Sequence, residues 1–268
     1  MTELFSNTRR LYQFRLPCEG LKDYIEFFWE TCFESTKQIL NGEAYTIKLF
    51  KSWTPTFWIN LGPSYRVVMD GAVHQIEANS AIALMRTSTV ERLNHPADHL
   101  FTVKFHPGAL KHLIGIDQTK LSSGLIVLNE LLPGFLIEQI KAAANFEQRV
   151  ALVEAFLLQN MLHKRGADHY TNLVTQTIGF YNDNEMKFNV NELASKAFTS
   201  SKTITRYFDR VIGTSPKQYL ECMQMRMALP AFLEDRKGFD PSTYGYYDKS
   251  HFYKSVTRFT GERIAGQY

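Results

Sequence analysis

The 268-residue sequence predicts an α+β protein: an N-terminal β-rich domain with flanking helices, followed by an all-α domain with two helix-turn-helix units. Two observations support this prediction. Short apolar or alternating segments separated by turn residues fill the first 105 residues, whereas a helical period of apolar residues begins after Pro107. A segment of the second half is also repeated near the end of the chain, with a constant offset of 48 residues.

The N-terminal part contains four segments that predict strands: TFWINLG, YRVVMDGAVHQI, SAIALMRT and LFTVKFHPG. In the second of these, Asp70-Gly71 indicates a hairpin turn, because both central positions of a two-residue turn take a positive φ. Helices are predicted at PGALKHLIG, which Gly115 ends, and over residues 135–144 and 146–164.

The polar stretch HKRGADH, residues 163–169, is the predicted linker between the two domains. The domains are therefore expected to span residues 1–163 and residues 164–268. After the linker, DHYTNLVTQTIGFYNDN and FNVNELASKAF predict two helices, the second with Asn189 or Asn191 as its N-cap.

The repeat relates TSSKTITRYFDRVIG to YDKSHFYKSVTRFTG. At the constant offset, Arg206 corresponds to Lys254 and Gly213 corresponds to Gly261. Each copy has apolar residues four apart, basic residues four apart and a glycine at its end. Because residues four apart share one face of a helix, each copy predicts a helix with an apolar face, a basic face and a glycine C-cap.

The first basic helix follows FNVNELASKAF after almost no loop, and two helices joined by a tight turn are typical of a helix-turn-helix. The next segment, SPKQYLECMQMRMALPAFLED, predicts a long connecting helix. Ser215 is its expected N-cap and Pro216 its first helical residue.

Two prolines, Pro230 and Pro241, affect the predicted geometry of the second helix-turn-helix unit. A proline inside a helix has no N–H to donate and clashes with the carbonyl four residues earlier, so Pro230 predicts a kink or an early end near residues 226–230. Pro241 predicts at most about one helical turn between Asp240 and Tyr244, where the second unit needs its first helix.

The net charge of +3 does not by itself indicate a nucleic-acid binder, but the basic residues concentrate on the repeat. Residues 196–226 hold six basic and two acidic residues, and residues 249–263 hold four basic residues and one acidic residue. Such local basic faces favour phosphate binding in a nearly neutral chain. The alternative is that these basic faces are only solvated surfaces. Because two copies carry basic residues at corresponding positions, this alternative is the weaker one.

Several other classes of protein lack support in the sequence. No apolar run approaches the length of a membrane span, and MTELFSNTRRLYQF lacks the apolar core of a signal peptide. Cys18, Cys32 and Cys222 are odd in number and far apart, which favours a reducing cytoplasm over a disulfide framework or a metal site. No catalytic residue, metal ligand or cofactor is predicted, and an enzyme is not expected.

The segments LASKAFTSSKTITRYFDRVIGTSPKQYLECMQMRMA and YGYYDKSHFYKSVTRFTG resemble AraC-type (AraC/XylS) transcription regulators over about residues 189–261. More loosely, LPCEGLKDYIEFFW, INLG and VKFHPGALKHLIG are similar to N-terminal domains of some members, so the β-rich domain is expected to be cupin-like. The resemblance implies sequence-specific binding of double-stranded DNA and regulation of transcription. It also implies that the N-terminal domain senses a small-molecule effector or makes a homodimer, and it leaves RNA polymerase open as a further partner.

The resemblance further implies which side chains contact DNA. By position, the base-facing residues are Lys202, Thr205 and Arg206 in the first recognition helix and Lys249, Ser250, His251, Tyr253 and Lys254 in the second. The implied phosphate contacts are Ser201, Arg210 and Arg258, with intradomain ion pairs as the alternative for the two arginines. Arg206 is the strongest candidate for reading a guanine, because its planar fork matches the O6 and N7 acceptors.

Two alternative functions stay open. A cupin-type metal-dependent enzyme with a helical appendage is suggested by four histidines that are close in sequence, although their spacing matches no metal-ligand motif: His95, His99, His106 and His112. The other alternative is an interaction protein whose degenerate second helix-turn-helix unit no longer binds DNA specifically. A group of aromatic residues is expected either in the core of the β domain or in the lining of a pocket: Trp29, Trp53, Phe57 and Trp58.

Overall fold

The computed structural model describes residues 11–31, 33–41, 43–163, 168–184 and 186–262. These residues form two compact units, one of residues 11–49 and 53–163 and one of residues 50–52 and 168–262. The predicted linker falls mainly on residues 164–167, which lie outside the described part. The first unit is rich in strands and the second consists of helices and their connections, so the predicted α+β fold is confirmed.

The first unit contains two antiparallel sheets. Their strands are β1 Tyr12–Arg15, β2 Ile25–Thr31, β3 Tyr45–Leu49, β4 Pro55–Asn60, β5 Tyr65–Met69, β6 Ala72–Ile76, β7 Ala81–Met85, β8 Val90–Asn94, β9 Leu100–Phe105 and β10 Ile126–Val127. One sheet has the order β1-β2-β9-β4-β7-β10 and the other has the order β3-β8-β5-β6. The four predicted strand segments correspond to β4, to the pair β5 and β6, to β7 and to β9, and all are confirmed.

The predicted hairpin is confirmed in detail. Met69 pairs with Ala72, and the intervening Asp70 and Gly71 have φ values of 52° and 77°. Strands β1, β2, β3 and β8 are not predicted by the sequence pattern. In β2 the run of buried residues is almost uninterrupted, and β8 buries Arg92 where alternation predicts an apolar residue. Neither strand therefore shows the apolar–polar alternation that marks a half-buried strand.

The six-stranded sheet has a hydrophobic core on each face. Phe57 belongs to the core between this sheet and the helices of the first unit, together with Phe101 and Phe105. Trp29 and Trp58 belong to the core on the other face, which includes residues of β3, β5 and β8. These three predicted aromatic residues are thus buried core residues of the β domain, whereas Trp53 lies between β3 and β4 and is partly exposed.

Four α-helices accompany the sheets in the described part of the first unit: α1 Phe33–Leu40, α2 Ala109–Ile114, α3 Gly134–Ala142 and α4 Phe146–His163. Helix α2 starts after Gly108 and ends at Gly115, both in the left-handed conformation, so the predicted helix and its glycine end are confirmed. Within the described residues, no helix combines the length and the apolar character that a membrane span requires.

The described part of the second unit contains α5 His169–Asp183, α6 Val190–Lys196, α7 Ser201–Val211, α8 Pro216–Glu234 and α9 Lys249–Thr260, with a 3-10 helix at Pro241–Tyr244. The predicted caps are confirmed at two helices. Asn189 forms a capping box with Glu192 at the start of α6, and Ser215 caps α8, in which Pro216 is the first residue. Helices α6 and α7 are the predicted first helix-turn-helix.

The predicted early end of the helix near residues 226–230 is wrong. Helix α8 continues through Pro230 to Glu234 and ends at the C-cap Asp235. The proline lies in the last turns of the helix, where its neighbours Leu229 and Phe232 are buried. Their packing keeps the helix together even though Pro230 has no N–H to donate, because most helical stability in a protein comes from packing of the apolar face.

The prediction for Pro241 is confirmed. Only the 3-10 helix Pro241–Tyr244 lies between the end of α8 and the turn that precedes α9. Asp240 caps this short helix, since its carboxylate accepts the N–H of Ser242 at 2.9 Å and the hydroxyl of Ser242 at 2.7 Å. The second helix-turn-helix therefore has a single 3-10 turn in the place of its first helix.

Candidate nucleic-acid interface

Helices α7 and α9, the two helices predicted from the repeat as recognition helices, begin at equivalent positions of the repeat. The side chain of Ser200 accepts the N–H of Thr203 at 3.1 Å, and the side chain of Asp248 accepts the N–H of His251 at 2.6 Å. Ser200 and Asp248 are separated by the same 48 residues that relate the two sequence copies. Each helix start is thus fixed by a short side-chain acceptor, as is usual for N-caps.

The two helices also end in the same way. Gly213 follows α7 with a φ of 88°, and its N–H donates to the carbonyls of Phe208 and Asp209. Gly261 ends α9 with a φ of 75°, and its N–H donates to the carbonyl of Thr257 at 2.9 Å. Because a side chain is strained at such a φ, the paired glycines are explained by backbone geometry.

One face of each recognition helix is buried within the second unit. The buried residues are Ile204, Phe208 and Val211 in α7 and Phe252, Val256 and Phe259 in α9. Each residue of the first set lies 48 positions before one of the second, and the apolar face predicted for each copy is the buried face. The opposite faces carry the basic residues, which are exposed to solvent.

The base-facing residues expected in the first helix are all exposed: Lys202, Thr205 and Arg206. The hydroxyl of Thr205 donates to the carbonyl of Ser201 at 2.8 Å, which leaves its methyl group on the exposed side for an apolar contact. The guanidinium of Arg206 lies 5.3 Å from the ring centre of Tyr207. Since Tyr207 is buried, this contact orients the arginine, and a direct role of Tyr207 at the DNA surface is not supported.

In the second helix, Lys249, Ser250 and Lys254 are exposed. His251 is exposed as well, but its Nδ1 accepts the N–H of Tyr247 at 3.3 Å and thereby holds the turn before the helix. Of the two ring nitrogens of His251, only Nε2 is therefore available to hydrogen-bond a base. Tyr253 is half-buried, with its ring 5.8 Å from that of Phe232, so its hydroxyl is the part that can reach outward.

The expected phosphate contacts have partners inside the second unit. The hydroxyl of Ser201 donates to the side-chain oxygen of Asn191 at 2.5 Å and so ties α7 to α6. The guanidinium of Arg210 stacks on the ring of Tyr170 at 4.0 Å. Arg258 lies 4.0 Å from the carboxylate of Glu221, at the limit of an ion pair. Arg258 remains largely exposed, so it is the freest of the three to reach a phosphate.

Helix α8 supports the second helix-turn-helix in a way that the sequence pattern does not predict. The side-chain amide of Gln224 donates to the carbonyl of Tyr244 at 2.6 Å. Gly245 follows with a φ of 73°, and a Cβ at this position would lie 2.8 Å from the same amide nitrogen and 3.2 Å from the carbonyl oxygen of Met186. The contact with Gln224 therefore fixes the turn, which compensates for the missing first helix.

The four histidines that suggested a metal centre have separate surroundings. Nε2 of His99 lies 2.7 Å from Glu30, while the ring of His112 packs against Tyr24. Nδ1 of His95 accepts the N–H of Ala97, and burial lowers the pKa of His106. Within the described part of the chain, no three His, Cys, Asp or Glu side chains are arranged to hold a metal ion.

Comparisons with known proteins yield solved structures alone, since no family model and no curated protein matches the chain. A structure of ToxT from Vibrio cholerae is 9% identical, with 82% of this chain and 95% of that chain covered and a TM-score of 0.45. ToxT with an unsaturated fatty acid bound, from Vibrio cholerae strain SCE256, is 10% identical over 82% and 92% of the two chains, with a TM-score of 0.42. The Cupin_2 domain of an XRE family transcriptional regulator from Enterobacter cloacae is 8% identical over 35% and 93%, with a TM-score of 0.25.

Proposed function

We propose that this protein is a transcription regulator that binds double-stranded DNA in a sequence-specific manner through α7 and α9. One observation carries the proposal: the repeat reproduces the start, the buried face, the basic face and the glycine end of a recognition helix at one offset. A single basic helix is often a solvated surface. Two basic helices whose capping residues also correspond are explained by a shared task.

The geometry of the second unit suits the major groove. A recognition helix enters this groove with its N-terminal residues near the base edges, and α7 and α9 carry Lys202 and Lys249 in their first turns. The connecting helix α8 has 19 residues and is therefore about 28 Å long. That length is of the order of one turn of B-DNA, about 34 Å, which separates two major-groove segments on the same face.

The test is selection of bound sequences from random double-stranded DNA with the full chain, followed by a salt titration of the selected complex. A specific regulator enriches a motif with two contacted segments, and its binding constant falls steeply with salt because each phosphate contact releases counterions. Enrichment of no motif would favour the alternative of an interaction protein. A motif with one contacted segment would assign specificity to α7 alone.

We further infer that the first unit binds a small-molecule effector between its two sheets. Several buried polar atoms of this unit have no hydrogen-bond partner among the described residues, among them Trp29 Nε1, Thr102 Oγ1, Tyr65 Oη and Arg92 Nε. Trp29 pairs in register with Thr102, and the ring of Tyr65 lies 4.6 Å from the guanidinium of Arg92. Buried polar groups in folded proteins almost always have partners, so a bound molecule would satisfy these atoms.

The orphan atoms also limit the chemistry of the effector. The indole of Trp29 and Nε of Arg92 can only donate, so the molecule needs hydrogen-bond acceptors such as carboxylate or hydroxyl oxygens. The surrounding rings of Trp58 and Tyr65, 6.4 Å apart, favour an apolar body. Screening small carboxylates and hydroxylated compounds by the shift in unfolding temperature identifies the class.

Two conservative substitutions test the effector site. Tyr65→Phe and Thr102→Val keep the shape of the side chain but remove an unsatisfied hydroxyl. Each should raise the stability of the unliganded protein by about 1 kcal/mol and weaken the stabilisation by the best compound. A loss of stability in both variants would mean that the hydroxyls already have partners, and the inference would fail.

The proposal places the regulator in the cytoplasm, where DNA is accessible and cysteines stay reduced. It includes homodimerisation of the full chain, because a second copy adds a second pair of recognition helices and raises the effective affinity. Sedimentation of the full chain with and without the selected DNA measures the oligomeric state. RNA polymerase is then tested as a partner on the complex with DNA.

A further inference from the structure

Two exposed aromatic side chains lie in the turns of the helix-turn-helix units. Phe198 is 98% exposed and lies two residues before Ser200, the N-cap of α7. Tyr247 is 91% exposed and lies directly before Asp248, the N-cap of α9. Both rings are therefore presented at the N-terminal ends of the recognition helices, and neither was singled out by the sequence analysis.

The backbone at Phe198 makes its exposure unusual. The residue has a φ of 51°, in the left-handed region where glycine and asparagine are the common residues. A bulky residue in this conformation is strained, and a side chain that is almost fully exposed recovers little of that cost by packing. The fold therefore gives no reason for a phenylalanine at this position.

Tyr247 is held in place by its backbone while its ring is free. Its N–H donates to Nδ1 of His251, and the next ring along the chain, that of Tyr246, is buried against His251 and Phe252. The ring of Tyr246 therefore packs in the core of this turn, whereas the ring of Tyr247 is exposed to solvent. In both turns, an exposed aromatic ring is present where packing does not require one.

We propose that Phe198 and Tyr247 are DNA-contacting residues that pack their rings on the deoxyribose faces beside the bases read by α7 and α9. The inference rests on the proposed function, because it needs DNA at these helix ends. Charge favours this occupant over an apolar protein surface, since exposed Lys202 and Lys249 stand in the same first turns. The sugar–phosphate backbone alternates apolar sugars with anionic groups, and an aromatic ring beside a lysine complements both.

The experiment compares aromatic and non-aromatic variants of the full chain on the selected DNA. Phe198→Asn and Tyr247→Ala should each weaken binding about tenfold, since each loses the burial of an aromatic face. Tyr247→Phe should bind as the original chain does, because the ring is kept. Phe135→Ala is the matched control, since Phe135 is an exposed aromatic residue of the first unit, 66% exposed, and its loss should leave binding unchanged.

Two further readouts separate contact from structure. Phe198→Asn should leave the unfolding temperature equal or higher, because asparagine tolerates the left-handed conformation. The slope of the binding constant against salt should stay the same, because an uncharged contact releases no counterions. If the original chain binds the selected DNA and Phe198→Asn and Tyr247→Ala bind it equally well, the inference is overturned while the proposed function stands. If the original chain selects no DNA, the proposed function itself fails.

Discussion

Ser200 and Asp248 cap the two recognition helices at positions 48 residues apart, and each accepts the backbone N–H of the residue three positions further on. The relationship shows that the repeat extends beyond similar residue types to the local structure that begins each helix. Because an N-cap sets the first helical turn, it also sets where Lys202 and Lys249 stand.

The caps lead to a prediction about stability and DNA affinity. Ser200→Ala and Asp248→Ala should each lower the free energy of unfolding by about 1 kcal/mol, because one backbone N–H loses its acceptor. Asp248→Asn keeps an acceptor and should preserve stability. The same variant removes a negative charge at the helix start, so its affinity for DNA should rise. Urea unfolding and a DNA titration measure the two effects, and a loss of stability in Asp248→Asn equal to that of Asp248→Ala would contradict the cap.

Much of the second unit can be predicted from the sequence because its signals are local. Asn189, Ser215 and the two terminal glycines identify helix ends through contacts within a few residues, and the repeat identifies the pair of recognition helices. In the first unit, the Asp70-Gly71 hairpin is predictable for the same reason.

The remaining features depend on contacts between distant residues. Strand β8 carries Arg92 into the core because Asp98 forms an ion pair with it at 2.8 Å, so its pattern does not look like a strand. Helix α8 passes through Pro230 because packing holds its last turns. The contacts of Arg210 with Tyr170 and of Gln224 with Tyr244 likewise join segments that are far apart in sequence.

Replacement of Pro230 by alanine should stabilise the protein. In an unbroken helix, alanine supplies the N–H that proline lacks, so Pro230→Ala should raise the free energy of unfolding by about 1–3 kcal/mol. The helix already has its full length, so the spacing of the two segments in the selected DNA should stay the same. Urea unfolding and repeated selection test both statements, and a changed spacing would show that the proline bends the helix after all.

Two glycines with positive φ should respond differently to alanine. At Gly261, with a φ of 75°, a new Cβ meets no atom within 4 Å, so Gly261→Ala should cost only the backbone strain, about 1 kcal/mol. At Gly245, with a similar φ, the Cβ approaches Gln224 and the carbonyl of Met186. Gly245→Ala should therefore cost clearly more, about 2–4 kcal/mol, and weaken contacts of α9 with DNA. Equal costs at the two positions, measured by thermal unfolding, would argue against the fixed turn.

A fragment that begins at Asp168 should fold on its own and bind the selected DNA. Asp168 caps α5 by accepting the N–H of Thr171, and α5 packs on α7 through the rings of Tyr170 and Tyr207, 4.7 Å apart. The fragment should bind more weakly than the full chain if a dimer adds avidity. Circular dichroism and a DNA titration test the prediction, and a fragment without cooperative unfolding would contradict the domain boundary.

Reading of base edges by exposed side chains of α7 is tested by selection from random DNA with Arg206→Ala beside the original chain. This variant should lose base preference at one position of the motif and about 1–3 kcal/mol of binding, with Arg258→Ala as the matched control. Arg258→Ala should weaken all sequences to a similar extent and lower the salt slope by about 0.9, as expected for one lost phosphate contact. An unchanged motif for Arg206→Ala would contradict base reading by Arg206 and α7.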